Sequence, residues 1–157
     1  MLTLTIPAYG ELKLEYLLLD MNGTIAVDGQ VIDGVARRLK ALGEQLKPLI
    51  LTADTHGTAS SVAWVLEVEM RRLQAGGNEA AQKEAVVAEL GPERVVAIGN
   101  GANDAAMLRR AALGITVLGD EGSAVACLTA ADVLAPDINT ALDLLLNPRR
   151  LLATLRN

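Results

Sequence analysis

Three short apolar blocks constrain this chain more than any other feature. Leu17-Leu18-Leu19, Leu49-Ile50-Leu51 and Val95-Val96-Ala97-Ile98 lack polar alternation, and each runs directly into polar residues or glycine. A strand with one wet face alternates apolar and polar residues, whereas a strand covered on both faces does not. Blocks this short, closed by turn residues, predict buried strands of a parallel sheet. Helical spacing fills the intervals. Val35, Leu39, Leu42 and Leu46 share one helical face, with Asp33 a candidate N-cap. A helix is expected after Gly57, including Val62, Val65 and Leu66. Others are expected over Glu79 to Leu90, Asn103 to Ala111, Gly122 to Leu128 and Asp137 to Leu146. Further strands are read at Val68 to Leu73, Leu113 to Val117 and Asp132 to Leu134. Pro148 is expected to interrupt the chain before an apolar tail, Leu151 to Leu155.

Strands alternating with helices imply an α/β fold, a central and mainly parallel sheet with helices on both faces. Ahead of it, Leu2 to Ile6 and Leu12 to Tyr16 alternate in period two about Pro7-Ala8-Tyr9-Gly10, the pattern of a β-hairpin extension over residues 1–16. The 157 residues read as one domain, with 148–157 as its tail.

Composition narrows the function classes. A hydrophobic fraction of 51% with 2% aromatics predicts a core of Leu, Val, Ile and Ala and excludes a disordered chain. The net charge of −5 argues against nucleic acid as a partner, because phosphate-binding faces need a surplus of Lys and Arg. Cys127, the single cysteine, rules out an internal disulfide or a thiolate metal cluster and reads as a small buried side chain. The first residues lack a basic start with an apolar block, and no apolar run approaches the ~20 residues that span a bilayer. A soluble, cytoplasmic protein without membrane insertion is expected.

The polar residues that follow the strands carry the chemistry. Asp20 follows the first block, Thr52-Ala53-Asp54 the second, and Gly99-Asn100-Gly101-Ala102-Asn103-Asp104 the third. In parallel sheets ligands bind beyond the carboxyl ends of the strands, so these groups are expected at one edge. Lys83, on the intervening helix, can reach the same edge. Crowded carboxylates suit a hard cation such as Mg²⁺, while a hydroxyl, an ammonium and glycine-bordered N–H groups suit a phosphate. Together they point to Mg²⁺-assisted phosphoryl chemistry.

In this order the segments resemble the four motifs of the haloacid dehalogenase-like (HAD) phosphotransferases. Asp20-Met21-Asn22-Gly23-Thr24 is similar to Asp-x-Asp-Gly-Thr; Leu51-Thr52-Ala53-Asp54 to a strand ending in Ser or Thr; Lys83 to the motif lysine; and Gly99 to Asp104 to Gly-Asp-Gly-x-Asn-Asp. The likeness covers roughly residues 15–135 and is nearest to the phosphorylation domain of P-type ATPases, here without transmembrane helices. It implies a Rossmann-like HAD fold. It also implies that Asp20 is the nucleophile, Thr52 a phosphoryl ligand and Lys83 the group that neutralises developing charge. By the same resemblance, Met21, Gly23, Thr24, Ala53, Asp54 and Gly101 surround the phosphate, while Asp20, Asn22, Asn100 and Asp104 surround Mg²⁺. Asp54 either orients Lys83 or caps the next helix. His56 reads as an exposed loop residue more readily than a substrate contact.

Two positions depart from the pattern. Asn22 stands where most phosphatases of this superfamily have the Asp that acts as general acid and base, and Asn100 where they have a Mg²⁺-binding Asp. An amide exchanges no proton at neutral pH, and losing a general acid–base typically costs ~10²–10⁴ in rate. Phosphorylation of Asp20 is expected to survive and turnover to be slow. The amides equally suit a non-catalytic or regulatory module that kept a phosphate or Mg²⁺ site. The intervals Asp20 to Thr52 and Asp54 to Lys83 hold only a flap (Ile25 to Gln30), helices and strands, so no cap domain fits. Such an open site suits a phosphorylated small molecule or a phosphoprotein, or closure by a second copy of the chain.

Overall fold

The computed structural model describes residues 1–54 and 57–156, so His56 lies outside the described residues. The chain opens with an antiparallel hairpin, β1 (Leu2–Ile6) and β2 (Gly10–Leu14), in which Leu2 faces Leu14 and Leu4 faces Leu12. The central sheet is built from β3 (Tyr16–Asp20), β6 (Lys47–Thr52), β7 (Glu69–Arg72), β8 (Val95–Gly99), β9 (Leu113–Val117) and β10 (Val133–Ala135). All of its pairings are parallel, in the order β10-β9-β8-β3-β6-β7. A small flap, β4 (Ala26–Val27) with β5 (Gln30–Val31), follows β3. This is the Rossmann-like arrangement of HAD folds, with the expected hairpin beside it.

The apolar blocks work because successive side chains of a strand point to opposite faces. Leu17 and Leu19 enter the core beneath α1 (Val35–Leu42), α2 (Ala59–Leu66) and α6 (Ile138–Leu146), together with the hairpin leucines. Leu18 enters a second core with Val86 and Val87 of α3 (Glu79–Leu90), Met107 and Leu108 of α4 (Ala105–Arg110), and Cys127 of α5 (Val125–Ala130). All three leucines are wholly buried. At ~25 cal/mol per Å², full burial of each is worth about 1.5–3 kcal/mol, which is why a run of three apolar residues belongs at the centre of a two-faced sheet.

Several local expectations are corrected. Asp33 does not cap α1; Gly34 holds the N-cap position at φ 86, a left-handed conformation that glycine adopts without steric cost. Leu46 is buried but lies beyond the end of that helix. Val65 faces solvent, as does Trp64 beside it. The helix expected from Asn103 is split into a 3₁₀ turn, Ala102–Asp104, and α4, and the one expected from Gly122 begins at Val125. Pro148 starts rather than breaks a helix: α7 (Pro148–Leu155) has it in the first turn, where no N–H is needed. Asp137 caps α6 by accepting from the Thr140 amide at 2.8 Å. Among the described residues, the intervals between the motif segments hold no cap domain.

Candidate active site

The strand order reverses at β3. From there the chain builds outward to β6 and β7 on one side, and to β8, β9 and β10 on the other. Beyond the carboxyl ends of the central strands lies a cleft of about 240 Å³. Its lining includes Asp20, Asn22, Thr52, Ala53, Lys83 and Asn100. Distant segments thus meet because their strands are neighbours in one parallel sheet.

Lys83 is the hub. It lies in the middle of α3, 1% exposed, and its Nζ donates to Asp20 Oδ1 and to Asp104 Oδ1, each at 2.6 Å. Burial works against the ammonium, but the attraction of Asp20 and Asp104, with both hydrogen bonds, outweighs it and holds Lys83 above its ordinary range. Burial likewise pushes the Asp20 carboxyl up, to about 7; the Asp104 charge adds to this, while Lys83 and the Thr24 hydroxyl oppose it. Burial is the main cause, and the second carboxylate beside a single ammonium adds to it.

Asp104 stands behind this hub and is wholly buried. Its Oδ2 accepts from the backbone amides of Asn100 (3.0 Å) and Gly101 (2.9 Å), while Oδ1 holds Lys83. Asp104, expected among the Mg²⁺ ligands, turns both oxygens to protein donors. Both oxygens are engaged, and the residue fixes the lysine and the β8 loop. Gly99 leaves the room for this, because a Cβ there would lie 2.5 Å from Asp104 Cγ.

Of the two readings of Asp54, the one at the start of the next helix is seen. Its Oδ1 accepts from the Ala59 amide at 2.9 Å, at the start of α2, and its Oδ2 pairs with Arg72 at 2.6 Å. It does not orient Lys83. Thr52 lines the cleft, and its hydroxyl accepts from the Asp54 amide at 3.0 Å. Other expected phosphate contacts are already engaged: Gly23 N–H donates to Ala26 O (2.8 Å) and Gly101 N–H to Asp104. Met21 buries its side chain, and its carbonyl accepts from the amides of Thr24, Ile25 and Ala26. Ala53 lines the cleft.

The geometry around Thr24 bears on a cation. Its buried hydroxyl lies 3.1 Å from Asp20 Oδ2 and 3.1 Å from Asn100 Oδ1. Three oxygens are thus grouped around a single hydrogen, an oxygen-rich and donor-poor set. Such a set, beside excess negative charge, fits a hard divalent cation that keeps several waters. Among the described residues no group of three or more His, Cys, Asp or Glu side chains is placed to hold a metal ion, so the oxygens of Thr24 and Asn100 would have to share the task with Asp20 and water.

Glu79, Asn103 and Glu121 also line the cleft. Glu79, the first residue of α3, accepts from Asn103 Nδ2 at 2.9 Å. Glu121 sits in the loop after β9. Sequence reasoning singles out neither glutamate, although the strand-end rule covers both, since each stands in or just past a connection leaving a strand's carboxyl end.

The alignment of the chain with known proteins agrees with this geometry. A model of the haloacid dehalogenase-like hydrolase family matches residues 3–112. The chain belongs to that family. An uncharacterized protein of Methanocaldococcus jannaschii is 46% identical to it over 85 residues, 52% of this chain and 91% of that protein. Among solved HAD structures, the 3-deoxy-D-manno-octulosonate 8-phosphate phosphatase of Moraxella catarrhalis, in complex with magnesium ion, phosphate ion and KDO, superposes with a TM-score of 0.67. Its 18% identity, over 91% of this chain and 94% of that one, shows a shared fold. The catalytic domain of the CPx-ATPase CopB-B superposes with a TM-score of 0.60 at 25% identity, over 73% of this chain and 46% of that one. The resemblance to HAD phosphatases and P-type ATPase catalytic domains therefore extends from motifs to fold. Among the described residues no helix is long and apolar enough to cross a membrane.

Proposed function

We propose that this HAD protein is a Mg²⁺-dependent phosphohydrolase or phosphotransferase that works through phospho-Asp20. The observation that carries the reading is the buried Lys83 bridge, which holds Asp20 against Asp104 at the mouth of β3. A carboxylate oxygen of Asp20 attacks phosphorus, the bond from phosphorus to the leaving oxygen breaks, and the leaving group departs with the electron pair. Lys83 and the Thr52 hydroxyl stabilise the charge that develops on the phosphoryl oxygens. Asp20, the Asn22 main-chain carbonyl and Asn100 Oδ1 are the groups that would hold Mg²⁺. When bound, the ion neutralises phosphoryl charge and aligns it with the nucleophile.

Asn22 gives the reaction its character. It lines the cleft beside Asp20 but can neither protonate the leaving oxygen nor take a proton from water. The first step then favours leaving groups that need no proton, namely acyl and aryl phosphates. The second step, attack of water on the phosphoenzyme, is slow. The open cleft admits phosphorylated small molecules, and the setting we assign is cytoplasmic.

The deciding experiment is incubation with acetyl phosphate and Mg²⁺, followed by intact-mass analysis. A phosphate adduct that disappears in Asp20→Asn is expected. Absence of an adduct across varied donors and Mg²⁺ concentrations would instead favour a binding or regulatory module. The amides at 22 and 100 are what that second reading has in its support.

A further inference from the structure

Asn100 does more than replace a carboxylate. Its Nδ2 donates to the Gly122 carbonyl at 3.0 Å, and its own carbonyl accepts from the Ala124 amide at 2.8 Å. A carbonyl oxygen accepts only, so the amide nitrogen must face Gly122, which leaves Oδ1 toward Thr24 and Asp20. An Asp at 100 could not make the Gly122 bond. The amide therefore fastens the loop after β9 to the β8 loop.

That loop carries Glu121. Its opening is fixed on the other side, where Leu118 N donates to Ala135 O and Gly119 N to Pro136 O, each at 3.1 Å. Its far end is the part that Asn100 holds. Glu121 is thereby brought over Gly23: a Cβ built on Gly23 would lie 2.5 Å from Glu121 Oε2 and 2.7 Å from Asn100 Nδ2. Gly23, at φ 78, is the residue that lets them converge. Glu121 shares the cleft lining with Asp20, Asn22 and Asn100. Unlike Glu79, which is tied to Asn103, it has no hydrogen-bond or ion-pair partner among the described residues.

We propose that Glu121 supplies, from the loop after β9, the carboxylate that position 100 lacks, and that it serves the divalent cation of this cleft. The inference rests on the reading of the cleft as a Mg²⁺-dependent phosphotransfer site. The anionic charge is relocated rather than lost. Asn100 keeps a neutral oxygen toward the Asp20 and Thr24 oxygens, and its amide positions the loop that restores the negative charge. Affinity for hard cations is tuned by ligand charge count and site rigidity, and both are served by this exchange.

The test is cation binding itself, measured with Mn²⁺ by electron paramagnetic resonance and with Mg²⁺ by calorimetry, without any phosphate donor. Glu121→Gln should weaken binding about tenfold or more, the range expected when a group supporting a metal is neutralised. Asn100→Asp in the Glu121→Gln background should recover most of that loss by returning a carboxylate to the cleft. Circular dichroism melting in chelator should be the same for wild type and Glu121→Gln, since the side chain is exposed and without partners. Binding by Glu121→Gln within twofold of wild type would overturn the proposal, as would failure of Asn100→Asp to recover any affinity. Loss of the wild-type phosphate adduct with normal Glu121-dependent Mn²⁺ binding would instead sink the catalytic reading alone.

Discussion

Lys83 Nζ stands 2.6 Å from one oxygen of Asp20 and 2.6 Å from one oxygen of Asp104, in a site where all three side chains are buried. The lysine, proposed to act in catalysis, is also the charge that allows two carboxylates to face each other inside the protein. Removing it leaves buried anions without a counterion. Lys83→Met should abolish Asp20 phosphorylation and lower stability by about 3–5 kcal/mol, the usual cost of breaking a buried pair from one side. Urea unfolding alongside intact-mass analysis would measure both, and a fully stable Lys83→Met protein would contradict the charge accounting.

Asn22→Asp tests whether the missing proton carrier limits turnover. The residue lines the cleft with Asp20, so on the proposed mechanism a carboxyl placed there would serve the leaving oxygen. Hydrolysis of an alkyl phosphate should rise by about 10²–10⁴, and the phosphate adduct should become short-lived. Steady-state assay and time-resolved mass spectrometry would report these changes.

Asp54 makes the opposite prediction. Its carboxylate receives the Ala59 amide at the start of α2 and pairs with the exposed Arg72. Asp54→Ala should cost about 1 kcal/mol, as loss of a helix-capping acceptor does, and the exposed ion pair should add little. Phosphorylation of Asp20 should be retained in the thermally stable fraction, which a mass assay at low temperature would detect.

Cys127 should be inert. Burial pushes its thiol up to about 11, with the Asp104 charge adding to this, and Sγ donates to the Gly101 carbonyl at 2.9 Å. Because the thiolate is the reactive form, alkylation by iodoacetamide at pH 8 should be negligible in native protein and rapid in denaturant. Fast native labelling would show that the β8 loop opens.

The sheet and its site were legible for one reason: burial on both faces leaves a plain mark in the sequence. Leu17, Leu18 and Leu19 serve two separate cores, so none of them can be polar. The strand ends then told where Asp20, Thr52 and the β8 loop would meet. What stayed hidden depends on partners rather than pattern. Asp33 and Gly34 are both acceptable helix starters, and only the left-handed backbone at Gly34 decides between them. The strand Glu69–Arg72 carries charges that an edge strand tolerates and whose partners the sequence does not name: Arg71 pairs with Glu89 and Arg72 with Asp54. Asp104 is placed beside Mg²⁺ by the resemblance of its motif, and nothing in the sequence shows that its oxygens accept from Lys83 and the Asn100 amide. The strand-end rule reaches Glu121, but what brings it over Gly23 is a side-chain amide far away in the chain.

The parallel order of the sheet also shapes how the molecule comes into being. β3 lies between β6 and β8, and β8 is made long after β3 leaves the ribosome. Parallel partners so far apart must find each other across a large loop, which slows folding and leaves an apolar strand edge waiting. A nascent chain that has emerged only as far as α3 owns Asp20 and Lys83, but neither β8 nor Asp104, the second anion that holds the lysine in place. The site proposed for phosphate chemistry is therefore completed late in synthesis and all at once, and truncated translation products should be both inert and prone to stick to one another.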